Sequence, residues 1–140
     1  PIERGRLADV GSGAGFPGLP LKLIRPELNL ILIEPNIKKS AFLSEVVRAL
    51  ELTDVTVLRN TLADSPIKSA SLAFITSRAL DPSKGLRLWA NRSLAPGGRL
   101  ILWTAKDAAQ EISTDAHWNW LQPIPMPQSK QRVLLVGQPV

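Results

Sequence analysis

The feature that most constrains the fold of this chain is a loop with alternating glycines, Asp9–Gly18. A short strand is predicted directly before the loop, and a helix with one apolar face directly after it. Gly11, Gly13 and Gly15 remove side chains from the turn, so backbone N–H groups and the positive end of the helix can approach a ligand. This order of elements predicts a ligand cradle in an α/β fold.

The spacing of the glycines indicates which ligand the loop holds. Phe16 stands where the third glycine of the dinucleotide fingerprint G-x-G-x-x-G would fall. The spacing found here, an acidic residue followed by x-G-x-G-x-G, resembles the first motif of class I methyltransferases, whose loop holds S-adenosylmethionine. In that motif the acidic residue, here Asp9, steadies the loop or the amino-acid end of the cofactor. A nicotinamide-dependent oxidoreductase is the least favoured interpretation.

A carboxylate at the end of the second predicted strand adds to this interpretation. Residues 29–33 form a nearly continuous apolar run, which is typical of a buried parallel strand, and Glu34 follows it. A carboxylate at that position can accept hydrogen bonds from both hydroxyls of an adenosine ribose. Because nicotinamide cofactors and S-adenosylmethionine both contain this ribose, Glu34 supports the fold more than it selects the cofactor.

Composition excludes several classes of site. The 140 residues suit one domain, 1–140, with a sizeable core. The chain has no cysteine and one histidine, which excludes disulfides, thiolate zinc sites, cysteine nucleophiles and multi-histidine metal sites. No apolar run is long enough for a membrane helix and no secretory signal is present, so a cytoplasmic protein without membrane or metal partners is predicted.

The net charge of +5 is compatible with a polyanionic partner such as RNA. Lys38 and Lys39 lie in the first turn of a predicted helix, where the helix dipole alone disfavours positive charge. The pair therefore either contacts an anion or is simply solvated. Lys106, which follows the fifth predicted strand, is the third candidate for contact with an RNA backbone.

The rest of the chain alternates strands and helices without a repeat or a linker. Pro96-Gly97-Gly98 is expected to stop the third helix. The fold class is therefore a doubly wound, mostly parallel α/β sheet of Rossmann-like type with antiparallel closing strands, and helical material ahead of the first strand is expected to be missing. The predicted strands are 6–10, 29–33, 55–59, 72–76, 99–104, 117–121 and 132–137, and the predicted helices are 19–24, 37–50, 81–94 and 108–114.

Two further segments follow predicted strands at the edge where ligands bind in such sheets. Thr61 and Leu62 come after the third strand, where an adenine would lie. Arg78 comes after the fourth strand and is predicted to point into the crevice that the glycine loop borders.

Taken together, these residues resemble the glucose-inhibited division protein B family, the bacterial small-subunit ribosomal RNA methyltransferases G. The resemblance covers essentially the whole chain, and the Gly-Phe-Pro-Gly end of the loop combined with Ser-Arg-Ala is its most specific part. The motifs that carry it are Asp9–Gly18, Glu34, Lys38-Lys39, Phe42-Leu43, Ser77-Arg78-Ala79 and Lys106.

The resemblance implies methylation of a guanine N7 in small-subunit ribosomal RNA with S-adenosylmethionine as methyl donor. Separately, a monomer is predicted. The resemblance also implies that Gly11, Phe16, the Thr61-Leu62 pair and Arg78 contact the cofactor. N7 carries a lone pair and no proton, so the reaction needs positioning, with Arg78 as the orienting group, and no general base. The chain departs from the family pattern at Leu62, which is usually a glutamate, and at Asp107, which is usually a glycine.

Two alternatives remain open from the sequence. One is a non-catalytic RNA-binding or assembly module whose cofactor site has decayed, for which Leu62 and the missing N-terminal region speak. The other is a methyltransferase that acts on a small molecule or a protein, in which case the basic charge is incidental.

Overall fold

The computed structural model describes residues 5–78 and 84–140. These residues form eight strands and four helices. The strands are β1 (Arg6–Val10), β2 (Asn29–Ile33), β3 (Val55–Leu58), β4 (Leu72–Ser77), β5 (Leu94–Ala105), β6 (Trp118–Trp120), β7 (Ile124–Pro125) and β8 (Arg132–Pro139). The helices are α1 (Gly18–Ile24), α2 (Ile37–Ala49), α3 (Lys84–Ser93) and α4 (Lys106–Ile112).

All eight strands belong to one sheet with the order β3-β2-β1-β4-β5-β8-β6, and β7 pairs with β8. The first five strands in this order are parallel, whereas β8 runs antiparallel to β5 and β6 runs antiparallel to β8. This confirms the predicted doubly wound, mostly parallel fold with antiparallel closing strands. The chain order reverses beside β1, so the carboxyl ends of β1 and β4 flank the crevice where such sheets bind ligands.

The sheet buries a separate apolar cluster on each face. β1 alternates between them, since Leu7 belongs to the cluster under α1 and α2, whereas Ala8 belongs to the cluster under α3 and α4. β2 does the same with Leu30 and Ile31, which explains why it reads as a continuous apolar run. Burial on both faces therefore fixes the two central strands that carry the candidate site.

The predicted boundary between the third helix and the fifth strand was wrong. α3 ends at Ser93 and β5 begins at once with Leu94, so Pro96-Gly97-Gly98 lies inside the strand and does not stop the helix. The pairing of β5 with β4 shifts register here, and Gly97 adopts a left-handed φ of 82°. A bulge with a glycine thus absorbs residues that normally break a strand.

Other boundaries differ from the predicted ones by one or two residues. α4 begins at Lys106 rather than at 108, directly after β5, and the Lys106 N–H, which has no acceptor within the helix, donates to the carbonyl of Gln131. The predicted proline-rich loop contains the short strand β7.

The predicted helix start at Asp81-Pro82-Ser83, and Ala79 of the Ser-Arg-Ala motif, lie outside the described residues. Among the described helices, none has the length and apolar character needed to cross a membrane.

Candidate cofactor site at the carboxyl edge of the sheet

The three glycines of the loop have backbone conformations that other residues rarely adopt. Their φ angles are 67° at Gly11, 55° at Gly13 and 98° at Gly15. A Cβ at Gly15 would lie 2.3 Å from Leu19 Cδ1, so this glycine lets α1 pack against the loop. A Cβ at Gly11 would instead meet no heavy atom of the described residues within 4 Å. The first glycine therefore borders open space at the crevice.

Several backbone N–H groups of the loop donate to acceptors within the protein itself. Gly11 and Ser12 both donate to the carbonyl of Ile33, at 2.9 and 3.2 Å. Gly15 donates to the carbonyl of Ser12 at 2.7 Å, and Gly13 donates to a side chain described next. The loop is thus a preformed steric cradle anchored to the end of β2.

Glu34 clamps the loop to the start of α2. Its Oε1 accepts from the Gly13 N–H at 2.8 Å, and its Oε2 accepts from the Asn36 N–H at 2.9 Å. The side chain is nearly buried, with 6% of the residue exposed. The sequence predicted only a ribose-binding carboxylate. The backbone clamp was missed, because a strand-end glutamate gives no sign that its partner lies 21 residues away. Each carboxylate oxygen still has a second lone pair for a ligand.

Asp9 lies beneath the loop and caps α1. Its Oδ2 accepts from the Gly18 N–H at 3.1 Å, while Oδ1 is buried and has no hydrogen-bond partner among the described residues. Burial raises the pKa of Asp9 to about 7, although the Gly18 and Ser12 hydrogen bonds and the positive charge of Arg78 act in the opposite direction. Asp9 therefore hydrogen-bonds the first residue of α1, which fits one of the two roles expected of the acidic residue, and its Oδ1 has no partner among the described residues.

Arg78 brings the end of β4 to the same place. A Cβ built on Gly13 would lie 3.1 Å from Arg78 Nη2, so the guanidinium covers the middle of the glycine loop. Phe16, at the far end of the loop, is 55% exposed. The structure thus brings Asp9, the glycines, Glu34 and Arg78 together.

The Thr61-Leu62 segment follows β3 at the same edge. Thr61 Oγ1 donates to Asp64 Oδ2 at 3.1 Å, and the Leu62 side chain is half-buried against the core cluster under α3 and α4. An apolar residue such as Leu62 suits this position because its side chain packs against the core. Any contact that this segment makes with a ligand is therefore left to its backbone and to Thr61.

The three candidate RNA-binding lysines are exposed at this edge but do not form one cluster. Lys38 and Lys39 lie in the first turn of α2, where the Lys39 N–H donates to Asn36 Oδ1. Lys106 is the first residue of α4, directly after β5, whereas α2 follows β2. Three strand spacings, about 14 Å, separate β2 from β5. The lysines can contact separate parts of one extended polyanion.

Two cavities were not predicted from the sequence. A wide groove of about 960 Å³ lies between α3 and the segment after α4, and it contains an ion pair between Arg87 Nε and Asp115 Oδ2 at 2.9 Å. A smaller cavity of about 260 Å³ joins Arg78 to Trp103 and Arg132, at the carboxyl ends of β4 and β5. No sequence signal could reveal either cavity, because residues from distant elements line each one.

Within the described residues, no group of three or more His, Cys, Asp or Glu is placed to hold a metal ion.

Comparison with known proteins identifies relatives along most of the chain. Residues 2–130 match the profile of the family described as rRNA small subunit methyltransferase G. The ribosomal RNA small subunit methyltransferase G of Corynebacterium glutamicum (strain R) is 40% identical over 112 residues, which are 79% of this chain and 50% of that protein. The protein of that name from Mycolicibacterium smegmatis is 41% identical over 109 residues, 76% of this chain and 46% of that protein. The chain thus spans about half the length of the curated relatives it matches.

The crystal structure of a SAM dependent methyltransferase from Aquifex aeolicus is similar in fold. It superposes with a TM-score of 0.78 at 20% sequence identity, covering 97% of this chain and 82% of that one. At this identity, the likeness supports the arrangement of strands and helices and leaves the ligand to the residues of the site.

Proposed function

The chain belongs to the rRNA small subunit methyltransferase G family, and we propose that it transfers a methyl group from S-adenosylmethionine to guanine N7 in small-subunit ribosomal RNA. The observation that carries this proposal is the convergence of the three left-handed glycines, Glu34 and Arg78 at the carboxyl edge of β1, β2 and β4. The glycine spacing favours this cofactor over a dinucleotide.

The residues present fit S-adenosylmethionine. Gly11 borders space that a side chain would fill, and Asp9 Oδ1 is a buried acceptor without a partner in the described residues. Glu34 has lone pairs left for ribose hydroxyls, and the backbone after β3 can meet an adenine. Gly11, Glu34, Thr61 and Arg78 would therefore hold the cofactor, with Asp9 supporting the loop from below.

When bound, S-adenosylmethionine supplies an electrophilic methyl group, whose transfer breaks the methyl–sulfur bond, forms a bond to N7 and moves the positive charge onto the purine. No proton is released, so the lack of a histidine at this edge is no obstacle. The residues act by holding the reactants in line, which is a large source of rate in such reactions. Arg78 is the positioning group, because its guanidinium lies over the loop at the end of β4.

The partner we propose is ribosomal RNA or the small ribosomal subunit. Exposed Lys38, Lys39 and Lys106 lie at the edge of the sheet that carries the cofactor site. N7 is poorly reached inside an RNA helix, so the target base must lie in a loop or leave its stack. A monomeric state and a cytoplasmic location remain predictions.

The other candidate functions gain no specific support from the structure. The decayed-site alternative depended in part on Leu62, whose side chain packs against the core cluster under α3 and α4.

The test is methyl transfer into small ribosomal subunits from cells that lack this modification. Subunits incubated with the chain and methyl-labelled S-adenosylmethionine are digested to nucleosides and separated. We expect label in 7-methylguanosine, and we expect Arg78→Ala to reduce the rate by one to two orders of magnitude. Label in another nucleoside would overturn the proposed position of methylation. Absence of label from a chain that binds the cofactor would overturn the proposed substrate.

A further inference from the structure

The smaller cavity lies directly beside the candidate cofactor site. Its lining includes Arg78, Trp103, Thr104, Met126, Pro127 and Arg132. Arg78 also covers Gly13, so one side chain borders both the glycine loop and this space, which we call the Trp103 cavity. A group inside the cavity is therefore next to the place where the methyl donor is expected.

The size and lining of the Trp103 cavity suit a single flat base. Its volume of about 260 Å³ is below the range of roughly 300–1,000 Å³ typical of pockets for drug-sized ligands. Trp103 supplies an aromatic ring, and Met126 and Pro127 supply apolar surface. Bases removed from a stack are held between such side chains.

The walls of the cavity are held in place by hydrogen bonds. Trp103 Nε1 donates to Thr76 Oγ1 at 3.1 Å, which fixes the indole on the sheet. The Met126 N–H donates to the Arg132 carbonyl at 3.1 Å, and the Arg132 N–H donates to Ser129 Oγ at 3.1 Å, so the strand connection that carries Met126 is fastened to β8. The cavity is thus preformed.

Charge indicates what the indole contributes. The described residues that line the cavity include two arginines and no carboxylate. Methylation at N7 leaves a positive charge on the purine, and an aromatic face attracts a cation. Stacking on Trp103 becomes more favourable as the charge develops. Arg78 and Arg132 line the same cavity and would repel this charge, so the proposal requires both to pair with the phosphates that flank the base.

We propose that the Trp103 cavity receives the target purine and that Trp103 is the stacking residue that favours its N7-methylated form. This inference rests on the proposed function, since the reaction defines which base enters.

Binding of mononucleotides tests the inference separately from activity. 7-Methylguanosine 5′-monophosphate and guanosine 5′-monophosphate are titrated into the full chain by calorimetry, with S-adenosylhomocysteine present, and tryptophan fluorescence is recorded in parallel. We expect the methylated nucleotide to bind at least fivefold more tightly and to quench fluorescence. Equal affinities, or tighter binding of the unmethylated nucleotide, would overturn the proposal without any variant.

Two variants locate the binding. Trp103→Leu should lose at least tenfold in affinity for the methylated nucleotide while keeping its S-adenosylhomocysteine affinity within twofold. Trp103→Phe should keep most of both, because a ring remains. If a folded Trp103→Leu protein binds the methylated nucleotide like the wild type, the site lies elsewhere. If Trp103→Leu does not fold, loss of the preference in Met126→Ala supports the cavity, and an unchanged preference overturns it.

The proposed function can fail without this inference failing. Preferential binding of the methylated nucleotide by a chain that puts no label into small subunits would contradict the substrate and support a purine site. Label in 7-methylguanosine from a chain without the preference would support the function and contradict the site.

Discussion

Asp9 in the glycine loop and Asp115 in the groove beside α3 are both largely removed from solvent, yet their acidities are opposite. Burial raises the pKa of Asp9 to about 7, because the hydrogen bonds from Gly18 and Ser12 and the charge of Arg78 offset it only in part. Burial would also raise the pKa of Asp115, but hydrogen bonds from Arg87 and His117 outweigh it and lower that pKa to about 2.

The two carboxylates differ in how many of their acceptor atoms have hydrogen-bond partners within the protein. The groove surrounds its carboxylate with donors, since Arg87 Nε, the His117 N–H and the His117 ring lie 2.9–3.1 Å from it. The loop leaves Asp9 Oδ1 without a partner among the described residues. A buried acceptor left in this state costs stability and is typical of functional sites. The groove therefore contains a structural ion pair, and the loop remains the proposed cofactor site.

The largest effect that separates the two regions is the pH dependence of stability that Asp9 produces. Between its ordinary pKa near 4 and about pH 7, the folded protein keeps the proton on Asp9 whereas the unfolded chain releases it. Stability is therefore fully present below pH 4 and falls as pH rises to 7, by an upper limit of about 4 kcal/mol at 1.36 kcal/mol per unit.

Asp9→Asn keeps the acceptor for the Gly18 N–H but cannot ionise, so its stability should change less over this range. Urea denaturation at pH 4, 5, 6 and 7 measures the effect, with the exposed Asp64→Asn as control. A wild-type profile that stays level from pH 4 to 7, or a parallel Asp9→Asn profile, would show that Asp9 has an ordinary acidity.

The next effect concerns the ion pair in the groove. Asp115→Ala removes the carboxylate from Arg87, whose side chain is 7% exposed, and we expect a loss of about 3 kcal/mol in the free energy of unfolding. Chemical denaturation at pH 7 measures it. The control is Glu45→Ala, which breaks the exposed ion pair with Arg48 and should leave stability nearly unchanged. Similar losses in both variants would contradict the distinction between a buried and an exposed pair.

Low pH provides a second test of the same comparison, because the pKa of Asp115 is shifted in the opposite direction to that of Asp9. Its pKa is lowered in the folded state, so its stabilisation is present above pH 4 and is lost as pH falls toward 2. The free energy of unfolding of Asp115→Ala should therefore depend less on pH than that of the wild type between pH 4 and 2. A steeper acid transition in the variant would refute the assignment.

The smallest effect concerns which region meets RNA. Lys38→Ala with Lys39→Ala should weaken binding to small-subunit RNA by several fold and reduce the salt dependence by about one phosphate contact per lysine that touches the backbone. Filter binding between 50 and 200 mM salt, a range over which phosphate contacts change affinity strongly, measures it. Lys84→Ala at the groove removes a similar charge and should change little. An equal loss from Lys84→Ala would assign the RNA surface to both regions.

Much of the fold could be predicted because its signals are local. β1 and β2 were predicted to the residue, since both strands are buried on both faces and end at glycine or a carboxylate. The Pro96-Gly97-Gly98 prediction failed because turn-forming residues look the same in a helix stop and in a bulge. Only the pairing of β5 with β4 distinguishes the two, and pairing is not visible in a local pattern.

The same distinction between local and long-range signals applies to the candidate site. The glycine loop, Asp9, Glu34 and Arg78 follow from spacing and strand ends, and the structure places them together. The Glu34 clamp, the orphaned Asp9 oxygen and the Trp103 cavity depend on side chains that meet across distant segments. Such contacts are set by packing, which composition and periodicity do not encode.

The most direct test of the cofactor site is calorimetric titration of S-adenosylmethionine into the wild type, Gly11→Ala and Gly97→Ala. Both glycines have left-handed φ angles and open space around a Cβ among the described residues, so both variants carry a similar backbone cost, about 1 to 2 kcal/mol. Only Gly11 borders the crevice. We predict micromolar binding by the wild type and Gly97→Ala, and at least tenfold weaker binding by Gly11→Ala. Absence of binding by the wild type, or equal binding by all three proteins, would contradict the assignment of this loop as the cofactor site.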